Sequence, residues 1–269
     1  MDLSIIIVNF NTRELLKECL KSLIVNGRWQ MVNSEVIVVD NASKDKSPAM
    51  IKKNFPKVKL IENRTNLGFA QANNQGIKKA KGEYLLLLNP DTRVEPGSLE
   101  KLIQFAQKHP EAGIVGAKLI NPDGSVQPSV YHFPTLGRAT REYWLSQEGV
   151  YEKYAPKSKK AIEVEAVTGA AMLIPRKTIE KVGLLDERYF MYFEDLDYCR
   201  RIRQAGLKVY YLPEAEIIHH HGKSAAKVGS KAYQYLTQSS KIYNGFIKYY
   251  LLFLIIWIGQ KWQKALGKK

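Results

Sequence analysis

The stretch Leu85-Leu86-Leu87-Leu88-Asn89-Pro90-Asp91-Thr92 decides the fold. Its leucine run reads as a strand buried on both faces. The run stops at a turn built from Asn, Pro and Asp. Ligands of open α/β sheets bind beyond the carboxyl ends of the strands, so Asp91 is expected at a ligand-binding edge.

The chain before this stretch repeats the same grammar. Ile5-Ile6-Ile7-Val8 is a short buried strand, and Asn9-Phe10-Asn11-Thr12 turns the chain. Thr12 then serves as N-cap for Leu15, Leu16, Cys19, Leu20 and Leu23 at helical spacing. Val36-Ile37-Val38-Val39-Asp40 is a second strand ending in an acid, followed by Asn41-Ala42-Ser43 and a polar helix to about Asn54. Val58 to Ile61 is a weaker strand, and Gly68 to Ile77 opens another helix. Alternating strands and helices predict a mainly parallel sheet with helices on both faces.

The chain after it is less regular. Leu99 to Ala106 reads as a helix, Gly113 to Leu119 as a strand and Asn121-Pro122-Asp123-Gly124 as a turn. Residues 131–160 read as a loop-rich region. Val164 to Ile174 reads as a strand broken at Thr168-Gly169-Ala170-Ala171. Glu194 to Ala205 reads as a helix that Gly206 ends. Lys208 to Leu212 is a short strand, and Ile217-Ile218 leads into His219-His220-His221. From about Ala232 the chain reads as one long or twice-broken helix.

The 269 residues are 45% hydrophobic and 25% charged, enough for one large domain or for one domain plus an appendage. The net charge of +15 predicts an anionic partner. Nucleic acid is not the expected one. The excess charge lies in separate stretches, 153–160 and 261–269, rather than on a basic face interleaved with aromatics. Two cysteines, Cys19 and Cys199, make no disulfide framework and are expected as reduced thiols. The amino-terminal residues carry no basic, cleavable leader pattern.

Several groups carry chemistry. Asp40 and Asp91 end two strands, on one edge of the sheet, where each either meets a ligand or caps a turn. Asn63 to Ala70 is polar and basic at a helix start, where backbone N–H groups and Arg64 suit a diphosphate. No G-x-G-x-x-G and no G-x-x-x-x-G-K-[ST] occurs, which disfavours dinucleotide and P-loop chemistry. Phe190-Met191-Tyr192-Phe193-Glu194-Asp195-Leu196-Asp197 sets three acids behind aromatics. Glu194 and Asp197 share a helix face and Asp195 points elsewhere. Such acids serve as a general base, or else favour the helix macrodipole and pair with Arg200, Arg201 and Arg203. His219 and His221 alternate onto one side of a strand, where an imidazole beside Asp91 would complete a mixed N/O site. A surface histidine run is the plainer alternative. With no H-E-x-x-H and no C-x-x-C, a protease-type or structural zinc site is not expected.

Tyr249 to Ile258 is the most apolar window, bounded by Lys248 and by Lys261, Lys264, Lys268 and Lys269. It is too short to span a bilayer, which takes about 20 apolar residues. Aromatics inside lysines suit an anionic membrane surface. A second subunit, giving a homodimer, or the protein's own core are the other uses of this face.

Taken together, Ser4 to Asn11, Val39 to Ser43, Asn66 to Ala70, Asn89-Pro90-Asp91, Thr168-Gly169-Ala170, Phe193 to Asp197 and His219 to Ser224 resemble the family 2 inverting glycosyltransferases, nearest the rhamnosyltransferase-like branch. The likeness covers roughly residues 3–224. It implies a GT-A fold, a Rossmann-like nucleotide-binding sheet with flanking helices, over 1–225; the apolar, lysine-bounded residues beyond it are read as a helical tail over 226–269 for membrane association or dimerisation. It implies that Val8, Phe10, Asn11 and Asp40 hold the nucleoside, and that Arg64, Asn66, Gly68 and Asn74 support the base and diphosphate. Asn89-Pro90-Asp91 stands where the family has D-x-D. The first Asp is Asn89 here, which leaves Asp91 as the main protein ligand of Mg²⁺ or Mn²⁺. Asp195 matches the general base, Glu194 an orienting residue, and His219 the metal-side histidine, with His221 as alternate. The expected partners are a dTDP- or UDP-sugar donor, a glycan or polyprenyl-linked saccharide acceptor and the inner membrane surface, in a cytoplasmic, peripherally bound enzyme. A noncatalytic, membrane-docked nucleotide-sugar binding module is the rival reading; it would need Asp40 but not Asp195.

Overall fold

The computed structural model describes residues 1–25, 28–29, 33–220, 231–265 and 267. His221, Gly222 and Ser224, named above, lie outside the described residues.

The leucine run is β6 (Tyr84–Leu88), buried at every position, at the centre of a nine-stranded sheet. It pairs in parallel with β1 (Leu3–Asn9), which pairs in parallel with β4 (Ser34–Asp40), which does so with β5 (Lys59–Glu62). Between β1 and β4 run α1 (Arg13–Ser22) and the short pair β2 (Ile24–Val25) and β3 (Arg28–Trp29). Alternation along β1 explains the layering. Ile5 and Ile7 pack on one face with Leu16 and Leu20 of α1, with Met50 and Ile51 of α2 (Ser47–Asn54), and with Leu99 and Leu102 of α4 (Ser98–Lys108). Ile6 packs on the other face with Ala70 and Ile77 of α3 (Phe69–Lys79).

The second half departs from a parallel sheet. β7 (Thr92–Val94) and β8 (Ala112–Ile120) follow β6, and then β9 (Val130–Tyr131). β12 (Ala171–Pro175) enters between β6 and β8, antiparallel to both, so the sheet is mixed. The expected break before it is real: β10 (Ile162–Val164) pairs at the sheet edge, β11 (Ala166–Val167) pairs with β9, and Thr168–Ala170 turns the chain into β12. The two strands expected at 208–219 are one, β13 (Lys208–His219), continuous through an irregularity between Leu212 and Glu216. The region 131–160 holds a helix, α5 (Leu136–Tyr143), that its sparse apolar pattern did not announce. α6 (Arg176–Val182) and α7 (Glu194–Gln204) cover the α3 face.

The tail forms two helices, α8 (Lys231–Asn244) and α9 (Phe246–Ala265), broken at Gly245. α8 packs on the segment before α7: Tyr235 stacks on Phe190 at 4.2 Å, and Ser239 donates to Met191 O. α9 rests on α5. Among the described residues no helix is long and apolar enough to cross a membrane. Cys19 and Cys199 are free and buried, and burial pushes each thiol up to about 12.

Candidate active site

A cavity of about 950 Å³ opens where β1, β4 and β6 end. Val8, Phe10, Asn66, Gly68, Asn89, Asp91, Glu194, Asp195 and His219 all line it. Four of the expected residues do not. Asp40, 2% exposed, lies behind the wall, taking Asn9 Nδ2 at 2.7 Å and Ser43 N at 2.9 Å. Asn11 closes the neighbouring turn, where its N–H donates to Ser43 Oγ and its Oδ1 accepts from Lys44 N. Asn74 staples α3 to the chain before α7: it donates to Leu185 O and Glu187 Oε1, and accepts from Leu185 N. Arg64 is exposed, two residues before the lining Asn66. Thr12 precedes α1 but caps nothing; its hydroxyl donates to Asn9 Oδ1 instead.

Gly68 shows why this wall is close-fitting. Its φ is +84°, and a Cβ there would lie 2.5 Å from Phe190 O. Phe69 N donates to that same oxygen at 2.6 Å, so one of the helix-start N–H groups suited to a diphosphate is already used. Asn41 braces the loop, donating to Gly68 O and accepting from Asn63 Nδ2.

Asp91 and His219 come together through strand register. β7 pairs antiparallel with β13, Thr92 opposite His219, and His220 N donates to Asp91 O. The His219 Nε2 and Asp91 Oδ1 atoms lie 3.3 Å apart, both residues buried. Gln127 sets the tautomer. Its Nε2 donates to Asn121 Oδ1 at 2.7 Å, so its Oε1 faces His219 Nδ1, also at 2.7 Å. Nδ1 therefore carries a proton, and Nε2 faces the Asp91 carboxylate. Adjacent ligands about 2.1 Å from an octahedral ion lie roughly 3 Å apart, so this pair fits a hard divalent cation. Among the described residues no group of three or more His, Cys, Asp or Glu surrounds such a point.

The acids are presented by strained backbone. Tyr192 and Phe193 adopt φ of +71° and +66°, unusual for aromatic residues. This aims the first turn of α7 into the cavity, so Glu194 and Asp195 face it together. Asp197 turns away to Arg200 and Arg201 at 2.9 and 2.8 Å, as the arginine-pairing alternative expects, and Glu194 shares the cavity with Asp195, the residue expected to point elsewhere. Arg203 pairs with Glu163. Asp195 accepts from Gly169 N at 3.1 Å and Leu196 N at 2.8 Å. Burial raises both carboxyls, Glu194 well above its usual range, where the Asp195 charge adds to the effect. Two N–H donors and the Lys153 ammonium favour the Asp195 anion, whereas the Asp195 charge opposes that of Glu194.

Gln127, Tyr131, Tyr151, Glu152, Lys153 and Phe190 also line the cavity. Of these, Tyr131, Tyr151, Glu152 and Lys153 fall within the loop-rich stretch 131–160, and Gln127 carries no signal in the sequence: a glutamine just beyond a surface turn looks like any other.

Residues 4–183 match the family model described as Glycosyl transferase family 2. The chain is 32% identical over 213 residues to the N-acetylglucosaminyl-diphospho-decaprenol L-rhamnosyltransferase of Mycobacterium tuberculosis, covering 71% of this chain and 68% of that protein. S. aureus TarS residues 1–349 in complex with UDP-GlcNAc superpose with a TM-score of 0.60 at 16% identity, over 98% of this chain and 73% of that one. The mannosyltransferase PcManGT from Pyrobaculum calidifontis, in complex with GDP-Man and Mn²⁺, also gives 0.60, at 18% identity over 98% and 75%. The structural likeness is one of fold, and it is the GT-A fold. The chain belongs to glycosyl transferase family 2, in its rhamnosyltransferase-like branch.

Proposed function

We propose that this glycosyltransferase moves a sugar from a nucleotide-diphosphate donor, dTDP-rhamnose or a UDP-sugar, to a hydroxyl of a glycan or polyprenyl-linked acceptor, inverting the anomeric centre. The observation that carries the reading is one cavity lined by both a hydrogen-bonded Asp195 and the Asp91–His219 pair. Val8 and Phe10 wall the base. Asp40 holds the tips of β1 and β4 in shape from behind that wall. Asp91 and His219 hold a divalent ion, Mg²⁺ or Mn²⁺, whose charge, when bound, offsets the charge developing on the leaving diphosphate. Asp195 takes the proton of the acceptor hydroxyl, whose oxygen bonds to the anomeric carbon on the face opposite the diphosphate. The bond to the diphosphate oxygen breaks, and its electron pair leaves with the diphosphate. One base and one displacement suffice, unlike the paired carboxylates of glycosidases.

The tail supports an acceptor at a membrane. Phe246, Ile247, Leu254, Trp257 and Trp262 are exposed along α9, and after Glu216 the chain carries lysines but neither Asp nor Glu. Lys261 lies over the Trp257 ring at 3.9 Å, an arrangement suited to the interface of an anionic leaflet. The enzyme would then sit peripherally on the cytoplasmic face of the cell membrane. A panel of UDP-, GDP- and dTDP-sugars, with and without Mn²⁺, tests the donor reading by thermal shift. A true donor stabilises the protein by an amount that grows with the logarithm of its concentration over Kd, and more so with Mn²⁺. No stabilisation by any of them would contradict it.

A further inference from the structure

The acceptor side of the cavity is held from behind by a residue that touches no substrate. We propose that Glu142 is a positioning residue that clasps the C-terminal helix to the cavity wall formed by Tyr151, Glu152 and Lys153. The inference rests on the reading above that the Glu194–Asp195 end takes the acceptor.

Glu142 is 4% exposed near the end of α5. A carboxylate seldom occupies such a place without fixed partners, because burying the charge is costly. Its Oε2 accepts from Tyr151 N at 2.5 Å and from Glu152 N at 3.3 Å. Its own carbonyl accepts from Gln263 Nε2 of α9 at 3.1 Å. The next residue doubles the grip on both sides. Tyr143 donates its hydroxyl to Glu152 Oε1 at 2.7 Å, and its ring meets Tyr151 edge-on. On the α9 side, Gly259 lies so close to Tyr143 that an added Cβ would fall 2.7 Å from the Tyr143 Cβ. Trp144 Nε1 donates to Ile255 O at 3.0 Å. A continuous set of contacts therefore runs from α9 through Glu142 and Tyr143 to the segment 151–153.

That segment needs such support. It follows a loop in which Ser146 and Gly149 both have positive φ, and only from Tyr154 onward do backbone bonds to Val130 anchor it. Lys153 reaches over the Tyr131 ring at 5.2 Å, and its charge acts on Asp195. Displacement of the segment would move an ammonium and two aromatic or acidic side chains at the acceptor end while leaving the strand tips beneath the donor unmoved. A helix that meets the membrane would in this way also set the shape of the acceptor subsite.

The test compares Glu142→Ala, Glu142→Gln and Gly259→Leu in the full chain. Amide hydrogen exchange at Tyr151 and Glu152 reads the clasp itself, whatever chemistry the cavity performs. Transfer kinetics use the nucleotide sugar that best stabilises the protein and a polyprenyl-diphosphate-linked saccharide. In Glu142→Ala we expect faster exchange at both amides and an acceptor KM raised about tenfold, with donor Kd within about twofold. Glu142→Gln, whose amide oxygen still accepts, restores both. Gly259→Leu loosens the same amides from the other side, and combining it with Glu142→Ala adds little, because both act on one contact set. Unchanged exchange in both single variants overturns the clasp. Faster exchange with an unaltered acceptor KM overturns its role in the acceptor site. If the unmodified enzyme transfers no sugar, the functional reading fails while exchange still decides the clasp.

Discussion

On one side of the cavity Val8, Asn41, Asn89 and Asp91 stand at or just past the ends of three parallel strands, in a register set by backbone ladders. On the other side Tyr131, Tyr151, Glu152 and Lys153 come from a two-residue strand and a loop, the loop held by side chains of α5, against which α9 packs. The first side is rigid because moving it would break a central sheet. The second owes its shape to a few clasps, and in the proposed reading it is the side that meets the acceptor. Substitutions on the first side should therefore damage chemistry, and on the second shift affinity.

The largest effect expected is at the meeting point. Asp195→Asn should lower kcat by about 10²–10⁴-fold with donor binding unchanged, as for loss of a general base. Normal turnover would remove Asp195 from that role. The same carboxylate fixes the acid limb of the pH profile. Its pKa is raised by burial above the ordinary 3.8, so activity should fall as pH drops through that raised value. The sign for stability is opposite. The folded protein holds the Glu194 proton more tightly than the unfolded chain does, so stability declines as pH rises above about 4.5. Glu194→Gln should flatten that decline in denaturant titrations across pH.

Next in size is the Asp91–His219 pair. His219→Ala should abolish the additional stabilisation that Mn²⁺ gives a donor, while Gln127→Leu, which frees the ring orientation, should weaken Mn²⁺ affinity about 10–100-fold. Calorimetric titration of Mn²⁺ in the presence of the donor nucleotide reads both. If His219→Ala binds Mn²⁺ as well as the unmodified enzyme, the cation site lies elsewhere. A smaller and separate effect is expected at α9. Phe246→Ser with Trp257→Ser should cut flotation with anionic vesicles, and salt should do the same; a change in sedimentation mass without a change in flotation would mean that this face pairs with a second copy. The smallest functional effect is at Asn74, whose replacement by Ala should cost about 1–3 kcal/mol of stability for the Leu185 groups it leaves unpaired. A loss of donor affinity larger than that of stability would place Asn74 in the site after all.

What could be read in the amino acids follows the same division. The Ile5, Val36 and Leu85 runs are buried on both faces, and such strands betray themselves by composition alone. The acids at their ends were therefore placeable, and Asp91 is where a strand-tip ligand belongs. Asp40 was harder, because a strand-tip acid that bonds Asn9 and Ser43 and one that meets a ligand look identical in sequence. The insertion of β12 between β6 and β8 was hidden, since pairing partners across long separations leave no local mark. α5 was hidden because its buried residues include Glu142, a polar core position that periodicity counts as solvent-facing. The pairing of Glu194 with Asp195, rather than with Asp197, depended on two positive φ angles that no aromatic residue advertises.

The central claim is a single displacement driven by one carboxylate, and the anomeric configuration of the product tests it most directly. Proton NMR of the linkage formed from the donor that best stabilises the enzyme should show inversion relative to the donor. Retention would mean a covalent or front-face route, with Glu194 or Asp195 in a role other than base, and would contradict the account.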